Sequence, residues 1–337
     1  MSKPDVNLDL IRQSVGFRNY LEIHSEEEVD FELLGHGEYN LNYWFLHPHT
    51  GKKLVLRIPM ESQMHLEHQV RYEFEALSLL RNSNRTPEPL YMDDTIRELP
   101  YGFLIMSFLP GESTLYEQFL MKAASCLADI HNIKIPIDHH LLSPENPLEA
   151  ILEECLSMVQ HYFDSEYAEP AVKDLLKILL SQGQEVVERM TVDAERCLIN
   201  TELNSGNFLV TDEKAYLVDW EKPIYGHVGQ DLGHFLAPTT TLWKTDTILT
   251  MVDINQFLEA YCDASQRYTN SKKLWEETKP YFVMNCLRGV TWCAMAYVEY
   301  QSPDRALKDA FTFEKIKSYL TTEFLEQIRR DYFDEKS

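Results

Sequence analysis

The local pattern of the sequence changes once, near Leu109-Pro110-Gly111. From residue 29 to that point, short segments rich in β-branched and aromatic residues alternate with glycine-containing turns, which is typical of antiparallel strands. One helical stretch, at about 62–82, interrupts them. After the break the pattern is helical, with helices predicted at about 114–132, 146–165, 169–190, 253–268, 281–300 and 304–330. The sequence therefore predicts an α+β fold with a β-rich N-lobe at 1–108, a mainly helical C-lobe at 109–337 and a cleft between them.

One β-type segment lies inside the helical half. The stretch FLVTDEKAYLVDW predicts a hairpin that runs from Phe208 to Trp220 and carries Asp219 near its end. The loop before it, NTELNSGN, contains Glu202 and Asn207. A hairpin brings its two ends together, so the loop is expected to face Asp219.

These segments resemble the aminoglycoside phosphotransferase and choline kinase family, whose members have the protein-kinase-like fold. The resemblance covers about residues 31–300 and is carried by Gly35–Asn42, LVLRIP, RYEFEAL, LIMSFLPG, NTELNSGN, LVDWEKPIYG and QDLGHFL. It implies transfer of the γ-phosphate of ATP, with GTP as an open alternative, to a hydroxyl group of a small molecule. Such a reaction needs charge neutralised on the phosphate oxygens and a hydroxyl held in line.

The resemblance assigns the catalytic roles to Glu202, Asn207 and Asp219. Asn207 and Asp219 would bind Mg²⁺ through hard oxygen ligands, and Glu202 would accept the proton of the substrate hydroxyl. The family loop reads His-x-Asp-x-x-x-x-Asn, whereas here Asn200 replaces the His and Glu202 the Asp. The extra methylene moves the carboxylate by about 1.5 Å, and an error near 1 Å can cost about 100-fold in rate. The alternative is therefore a weak or inactive, pseudokinase-like nucleotide-binding regulatory protein.

Four further residues are expected around the phosphates of the nucleotide. Gly35 and Gly37 lie in the predicted phosphate-covering hairpin, where glycine permits close backbone approach. Arg57 occupies the strand position where protein kinases keep a lysine, and its guanidinium suits bidentate phosphate contact. Glu73, on the predicted helix, would orient Arg57 as an ion pair.

The crossing between the lobes would hold the base of the nucleotide. By resemblance Met106 lies beside the adenine, and the backbone from Ser107 to Leu109 supplies hydrogen bonds. Asp231 is expected to brace the catalytic loop, and His131 is expected to be a hydrogen-bonded core residue rather than a catalyst.

The composition of the chain limits the classes of partner that it is expected to bind. The net charge of −23, from 31 basic and 54 acidic residues, argues against a nucleic-acid-binding protein. Acids exceed bases in both halves, so the charge is compatible with a cationic alcohol as substrate but does not select one. Six cysteines show no C-x-x-C spacing, and no secretion signal or membrane-length apolar run is visible. We expect a cytoplasmic protein without a membrane partner; its oligomeric state is not predicted.

Overall fold

A computed structural model of the chain describes residues 6–24, 28–36, 40–60, 62, 64, 66–96, 99–189, 195–302 and 310–334. The strands are β1 (Glu32–His36), β2 (Asn40–Leu46), β3 (Lys53–Pro59), β4 (Pro89–Asp93), β5 (Phe103–Ser107), β6 (Arg196–Ile199), β7 (Phe208–Val210), β8 (Ala215–Leu217) and β9 (Ile224–His227). The helices are α1 (Leu8–Gln13), α2 (Val15–Leu21), α3 (Gln69–Leu80), α4 (Tyr116–His131), α5 (Pro147–Phe163), α6 (Pro170–Arg189), α7 (Val228–Leu236), α8 (Pro238–Lys244), α9 (Met251–Ala264), α10 (Ser271–Gln301), α11 (Ala310–Tyr319) and α12 (Thr322–Ile328).

The N-terminal part is one antiparallel sheet with the strand order β1-β2-β3-β5-β4. The central strand β3 is buried on both faces, because α1 and α2 cover one side and α3 covers the other. Successive side chains of a strand point to opposite faces. Leu54 and Leu56 therefore pack towards α1 and α2, and Val55 packs towards α3. The same alternation puts Arg57 on the α3 face, opposite Glu73.

The C-terminal part is mostly helical and is organised around α10, which packs against α5 and α7. The start of the helix predicted at 281–300, directly after Pro280 in the sequence, is wrong: α10 begins at Ser271, where the Asn270 side chain accepts a hydrogen bond from the Lys273 N–H (3.0 Å). A proline inside a helix removes one backbone hydrogen bond. The packing of α10 against its neighbours compensates for that loss.

Two other details differ from the sequence-based expectation. Strands β6 and β9 pair as a second short sheet in the helical half, which was expected to contain only the hairpin β7–β8. Four-residue strands are too short to show a clear period of two. The helix expected over 304–330 is two helices, α11 and α12, within its described part, and residues 303–309 lie outside the described residues.

Contacts join the two parts on one side of the cleft. Arg85 pairs with Asp129 of α4 (2.7 Å), and the Tyr72 hydroxyl of α3 donates to the Pro223 carbonyl (2.6 Å). One hydrophobic core runs from Val70 and Leu77 of α3 to residues of α4 and the β7–β8 hairpin. These contacts fix the loop before β7 relative to β3. The division at residue 108 itself stays a prediction.

None of the described helices is long and apolar enough to span a membrane.

Candidate active site

The loop between β6 and β7 is held by a buried carboxylate from α7. Asp231 accepts hydrogen bonds from the backbone N–H groups of Asn200 (2.8 Å) and Thr201 (2.7 Å), and His131 lies 3.2 Å from the same carboxylate. Thr201 has a φ of 76°, a value that a β-branched residue adopts only at an energetic cost. Asp231 therefore holds the loop in a conformation that its own sequence disfavours.

Asn200 connects the loop to the end of the β7–β8 hairpin. Its amide nitrogen donates to the Asp219 carbonyl (2.8 Å), and its amide oxygen accepts from the Glu202 N–H (3.1 Å). Asp219 also lies in the left-handed region, with a φ of 65°. One amide thus acts as donor and acceptor at once. It links the backbones of Asp219 and Glu202, which explains how an asparagine serves at this position.

Asn207 and Asp219 can both present oxygen atoms to a cation. The Asn207 amide nitrogen donates to the Glu202 carbonyl (2.9 Å), and its backbone carbonyl accepts from Val218 (2.9 Å). The Asn207 amide oxygen has no hydrogen-bond partner among the described residues. Carboxylate and amide oxygens suit Mg²⁺, which usually keeps water and phosphate oxygens in its coordination shell. The described parts of the chain contain no group of three or more acidic, His or Cys side chains that could hold a metal ion.

The Glu202 carboxylate lies between two cations. Lys222 Nζ is 2.5 Å from Glu202 Oε1, and Arg288 Nη2 is 3.6 Å from the same oxygen. Burial raises the pKa of Glu202, but Lys222 and Arg288 outweigh burial and hold the pKa below its ordinary value. Glu202 is therefore ionised at neutral pH and can accept a hydrogen bond from a hydroxyl group.

Arg57 connects β3 and α3 to the end of the hairpin. Its Nε lies 2.8 Å from Glu73, and its Nη2 donates to Asp219 Oδ1 (2.6 Å). Arg57 and Glu73 are 3% and 1% exposed, so this is a buried ion pair. Burial lowers the pKa of Arg57, but the surrounding acids outweigh it and raise that pKa. Burial also raises the pKa of Glu73. Arg57 is thus a permanent cation beside a candidate metal ligand.

Glu221 is a third acid beside Asp219. It accepts a hydrogen bond from the Asn40 amide of β2 and lies 3.6 Å from Arg57 Nη2. Burial, followed by repulsion from Asp219, raises the pKa of Glu221 to about 7. Arg57 therefore faces Glu73, Asp219 and Glu221, and burial raises the pKa of two of these acids, Glu73 and Glu221.

Glu202, Asn207 and Asp219 line one cavity of about 530 Å³. The opposite wall comes from α7, α8 and α10. The cavity is lined by Asn40, Glu202, Asn204, Gly206, Asn207, Asp219, Glu221, His234, Thr239, Thr240, Trp243, Asn285, Arg288, Gly289, Trp292, Cys293 and Tyr319. A volume of this size accommodates a small organic molecule.

Residues 30–281 match the model of the phosphotransferase enzyme family known as APH. The chain belongs to this family. The match covers three quarters of the sequence and includes Arg57, the Glu202 loop and Asp219. A comparison with curated protein sequences finds no match.

Solved structures share the fold of this APH-family chain at low sequence identity. Choline kinase from Cryptosporidium parvum is 13% identical, with a TM-score of 0.66, over 96% of this chain and 94% of its own. Spectinomycin phosphotransferase in complex with ADP and spectinomycin is 14% identical (TM-score 0.62; 91% and 93% covered). Amicoumacin kinase in complex with AMP-PNP and Ca²⁺ is 12% identical (TM-score 0.62; 93% and 91% covered). The predicted protein-kinase-like α+β fold is confirmed.

Gly35, Met106, Ser107 and Leu109, which were expected on the nucleotide side of this APH-family chain, do not line that cavity. Gly35 sits at an irregularity in the β1–β2 pairing, and a Cβ added there would meet no atom within 4 Å. Gly37 lies outside the described residues. Met106 is 8% exposed and packs in the core. The Ser107 N–H and hydroxyl both bond to Glu88 (2.9 Å each), so among the described residues the Leu109 N–H is the better candidate donor for a ligand.

The residues of the site that the sequence analysis did not single out include Lys222, His234, Asn285 and Arg288. Lys222 follows Asp219 by three positions in LVDWEK, and His234 follows Asp231 by three in QDLGHFL. Asn285 and Arg288 share one face of α10, three residues apart. Polar residues at helical spacing on an otherwise apolar predicted helix were the signal that could have found the last two.

Proposed function

We propose that this chain transfers the γ-phosphate of ATP or GTP to a hydroxyl group of a small molecule, with Mg²⁺ bound by Asn207 and Asp219. The observation that carries the proposal is the convergence of Glu202, Asn207 and Asp219 on one cavity. Phosphoryl transfer depends mainly on positioning and on charge stabilisation. A carboxylate, an amide and a second carboxylate in one cleft can supply both.

Each residue has a distinct role in the proposed reaction. Arg57, oriented by Glu73, binds the phosphates, and the bound cation supplies further neutralisation of phosphate charge. Glu202 accepts a hydrogen bond from the acceptor hydroxyl and aligns that oxygen with the γ-phosphate. The transition state of this reaction is loose in most analyses, so alignment matters more than the strength of the base. The lowered pKa of Glu202 is compatible with that role.

Two neighbouring structures support the choice of nucleotide and metal. Spectinomycin phosphotransferase was solved with ADP, and amicoumacin kinase was solved with AMP-PNP and Ca²⁺. Both are below 15% identical to this chain, so they support only a nucleotide and a divalent cation in the same fold. We expect the protein to act in the cytoplasm, a reducing compartment in which its six free cysteines remain thiols.

A second function is favoured by one observation at Glu202. Its carboxylate already forms an ion pair with Lys222 at 2.5 Å and lies near Arg288. If these contacts hold the carboxylate away from the acceptor hydroxyl when ligands bind, Glu202 cannot align that hydroxyl. The chain would then be a nucleotide-binding regulatory protein without transferase activity.

Nucleotide binding and ADP formation distinguish the two functions. The assay uses the full chain with Mg²⁺ and a panel of small alcohols, and compares wild type with Asp219→Ala and Glu202→Gln. The transferase proposal expects ADP formation that depends on an acceptor, loss of Mg²⁺-dependent nucleotide binding in Asp219→Ala, and loss of turnover but not binding in Glu202→Gln. Asp212→Asn, an exposed change in the same hairpin, is the matched control. Nucleotide binding without turnover in wild type would favour the regulatory function.

A further inference from the structure

We infer that the phosphate acceptor is a neutral, polyhydroxylated ring compound, such as a sugar, and not a cationic alcohol. The inference rests on the proposed function, because it names the acceptor of that same site. It depends on the wall of the cavity opposite the Glu202 loop, which we call the acceptor wall: His234, Thr240, Trp243, Asn285, Arg288 and Trp292.

The acids that line the cavity already have partners. Glu202 pairs with Lys222, Asp219 pairs with Arg57, and Glu221 accepts from Asn40. Within the described residues the acceptor wall contains no carboxylate. Burying an ammonium group without an opposing charge is costly. The overall charge of −23 therefore says little about the charge that a substrate would meet.

Arg288 offers no attraction to a charged substrate of either sign. It lies on the wall and forms a bidentate pair with Glu154, at 2.8 and 3.0 Å. A cationic substrate would approach this guanidinium group. Because Glu154 and Glu202 already balance the charge of Arg288, an anionic substrate would gain little from it.

The aromatic residues of the wall pack against one another. Trp243 and Trp292 meet edge to face, with ring centres 5.2 Å apart and an angle of 90°. Trp243 also meets Tyr319 nearly at a right angle. The edge of one indole therefore packs on the face of the other. An indole beside polar groups suits the apolar C–H face of a sugar ring.

The polar groups of the wall include both donors and acceptors. Asn285 is 5% exposed; its amide nitrogen donates to the Tyr281 carbonyl (2.9 Å), and its amide oxygen has no partner among the described residues. His234 donates from Nδ1 to the Thr201 carbonyl (2.6 Å). Burial and Arg288 lower the pKa of His234, so Nε2 is an acceptor at neutral pH.

Two potential donors complete the acceptor wall. The Thr240 hydroxyl and Arg288 Nη1 make no hydrogen bond within the described parts of the chain. Each hydroxyl of a sugar both donates and accepts, which matches a wall that offers acceptors and donors together. Buried polar groups are nearly always hydrogen-bonded, so a ligand or water must satisfy the Asn285 oxygen.

The test compares matched acceptors with the full-length protein, ATP and Mg²⁺. The panel holds neutral sugars (glucose, ribose), cationic alcohols (choline, ethanolamine, kanamycin) and an anionic alcohol (glycerate). One readout is ADP formation, and the other is quenching of tryptophan fluorescence, to which Trp243 and Trp292 contribute. We expect at least about a 10-fold higher kcat/KM for a neutral sugar than for any charged acceptor.

Variants of two acceptor-wall residues test whether the acceptor binds at this wall. Trp292→Ala should raise the acceptor KM about 10-fold, and Thr240→Val, which removes one hydroxyl at constant shape, about 5-fold. The nucleotide KM should stay unchanged in both, which also reports correct folding. Trp275→Phe is the control, because Trp275 packs on Phe282 away from the cavity. An unchanged acceptor KM in both wall variants would overturn the inference.

The two readouts separate this inference from the transferase proposal. A higher kcat/KM for a cationic or anionic acceptor would overturn the inference and leave the transferase function standing. Quenching by a neutral sugar without ADP formation would support a neutral sugar as the ligand of the acceptor wall, but it would refute the transferase function and with it the role of the sugar as phosphate acceptor. No quenching and no turnover with any neutral sugar would refute the inference.

Discussion

Replacing Glu202 by an aspartate tests whether the catalytic loop is built around the longer acid. The change withdraws the carboxylate by about 1.5 Å. The distance to Lys222 Nζ, now 2.5 Å, would become about 4 Å, which is the outer limit of an ion pair. Arg288 Nη2, now 3.6 Å away, would lie about 5 Å away. The shorter side chain of the Glu202→Asp variant would therefore lose both of the cations that hold the carboxylate in place.

The displaced carboxylate should slow phosphoryl transfer. A misplacement of 1 Å or more costs about 100-fold in rate, so we expect kcat to fall by about that factor, or about 2.7 kcal/mol in activation free energy. The nucleotide KM should change little, because Asn207, Asp219 and Arg57 are untouched. The measurement is ADP formation at saturating acceptor, with Glu202→Gln as the control of equal length and no charge. Equal or higher activity in Glu202→Asp would refute this reasoning, because it would show that the glutamate catalyses the reaction no better than an aspartate at the same position.

The remaining predictions concern the groups around Glu202 and the nucleotide. Arg57→Met should lower the free energy of unfolding in urea by about 3–5 kcal/mol, because it leaves buried acids uncompensated; Arg71→Met, which breaks an exposed ion pair, should leave the urea midpoint nearly unchanged. Lys222→Met should raise the pKa of Glu202 towards its ordinary value. As the pH is lowered, the variant should therefore lose activity at a higher pH than wild type does. A pH–rate profile whose acid limb does not move would contradict this prediction. Gly35→Ala should leave the melting temperature nearly unchanged, because the added Cβ would contact no protein atom within 4 Å, but it should raise the KM for ATP. Equal KM values for the variant and wild type would mean that the phosphates do not bind next to Gly35.

Local patterns in the sequence predicted the elements that carry the site. The hairpin β7–β8 follows from two short apolar segments, and β3 follows from the apolar, β-type segment LVLRIP. The start of α10 was predicted wrongly at Pro280, because the low helix propensity of proline suggests that a helix begins or ends there. In the structure, the packing of α10 against α5 and α7 outweighs this propensity. Tertiary contacts of this kind leave no local pattern.

The partners of the catalytic acid could not be predicted for the same reason. Lys222 and Arg288 lie 20 and 86 positions after Glu202, and only the fold brings them to its carboxylate. Net charge likewise gave no information about the cavity. Acids exceed bases along the whole chain, whereas in the cleft Glu202 pairs with Lys222, Asp219 pairs with Arg57, and Glu221 accepts a hydrogen bond from Asn40.

Asn200 and Glu202, the two residues that differ from the family loop, contact the same part of the site. Read alone, Asn200 and Glu202 suggest a damaged catalytic loop. In the structure, Asn200 links the backbones of Glu202 and Asp219, and the longer Glu202 reaches Lys222 and Arg288. Each departure therefore makes contacts that hold the loop in one conformation. Replacement of the family residues is consequently weak evidence for lost activity, because catalysis depends on where the carboxylate lies and not on which acid supplies it.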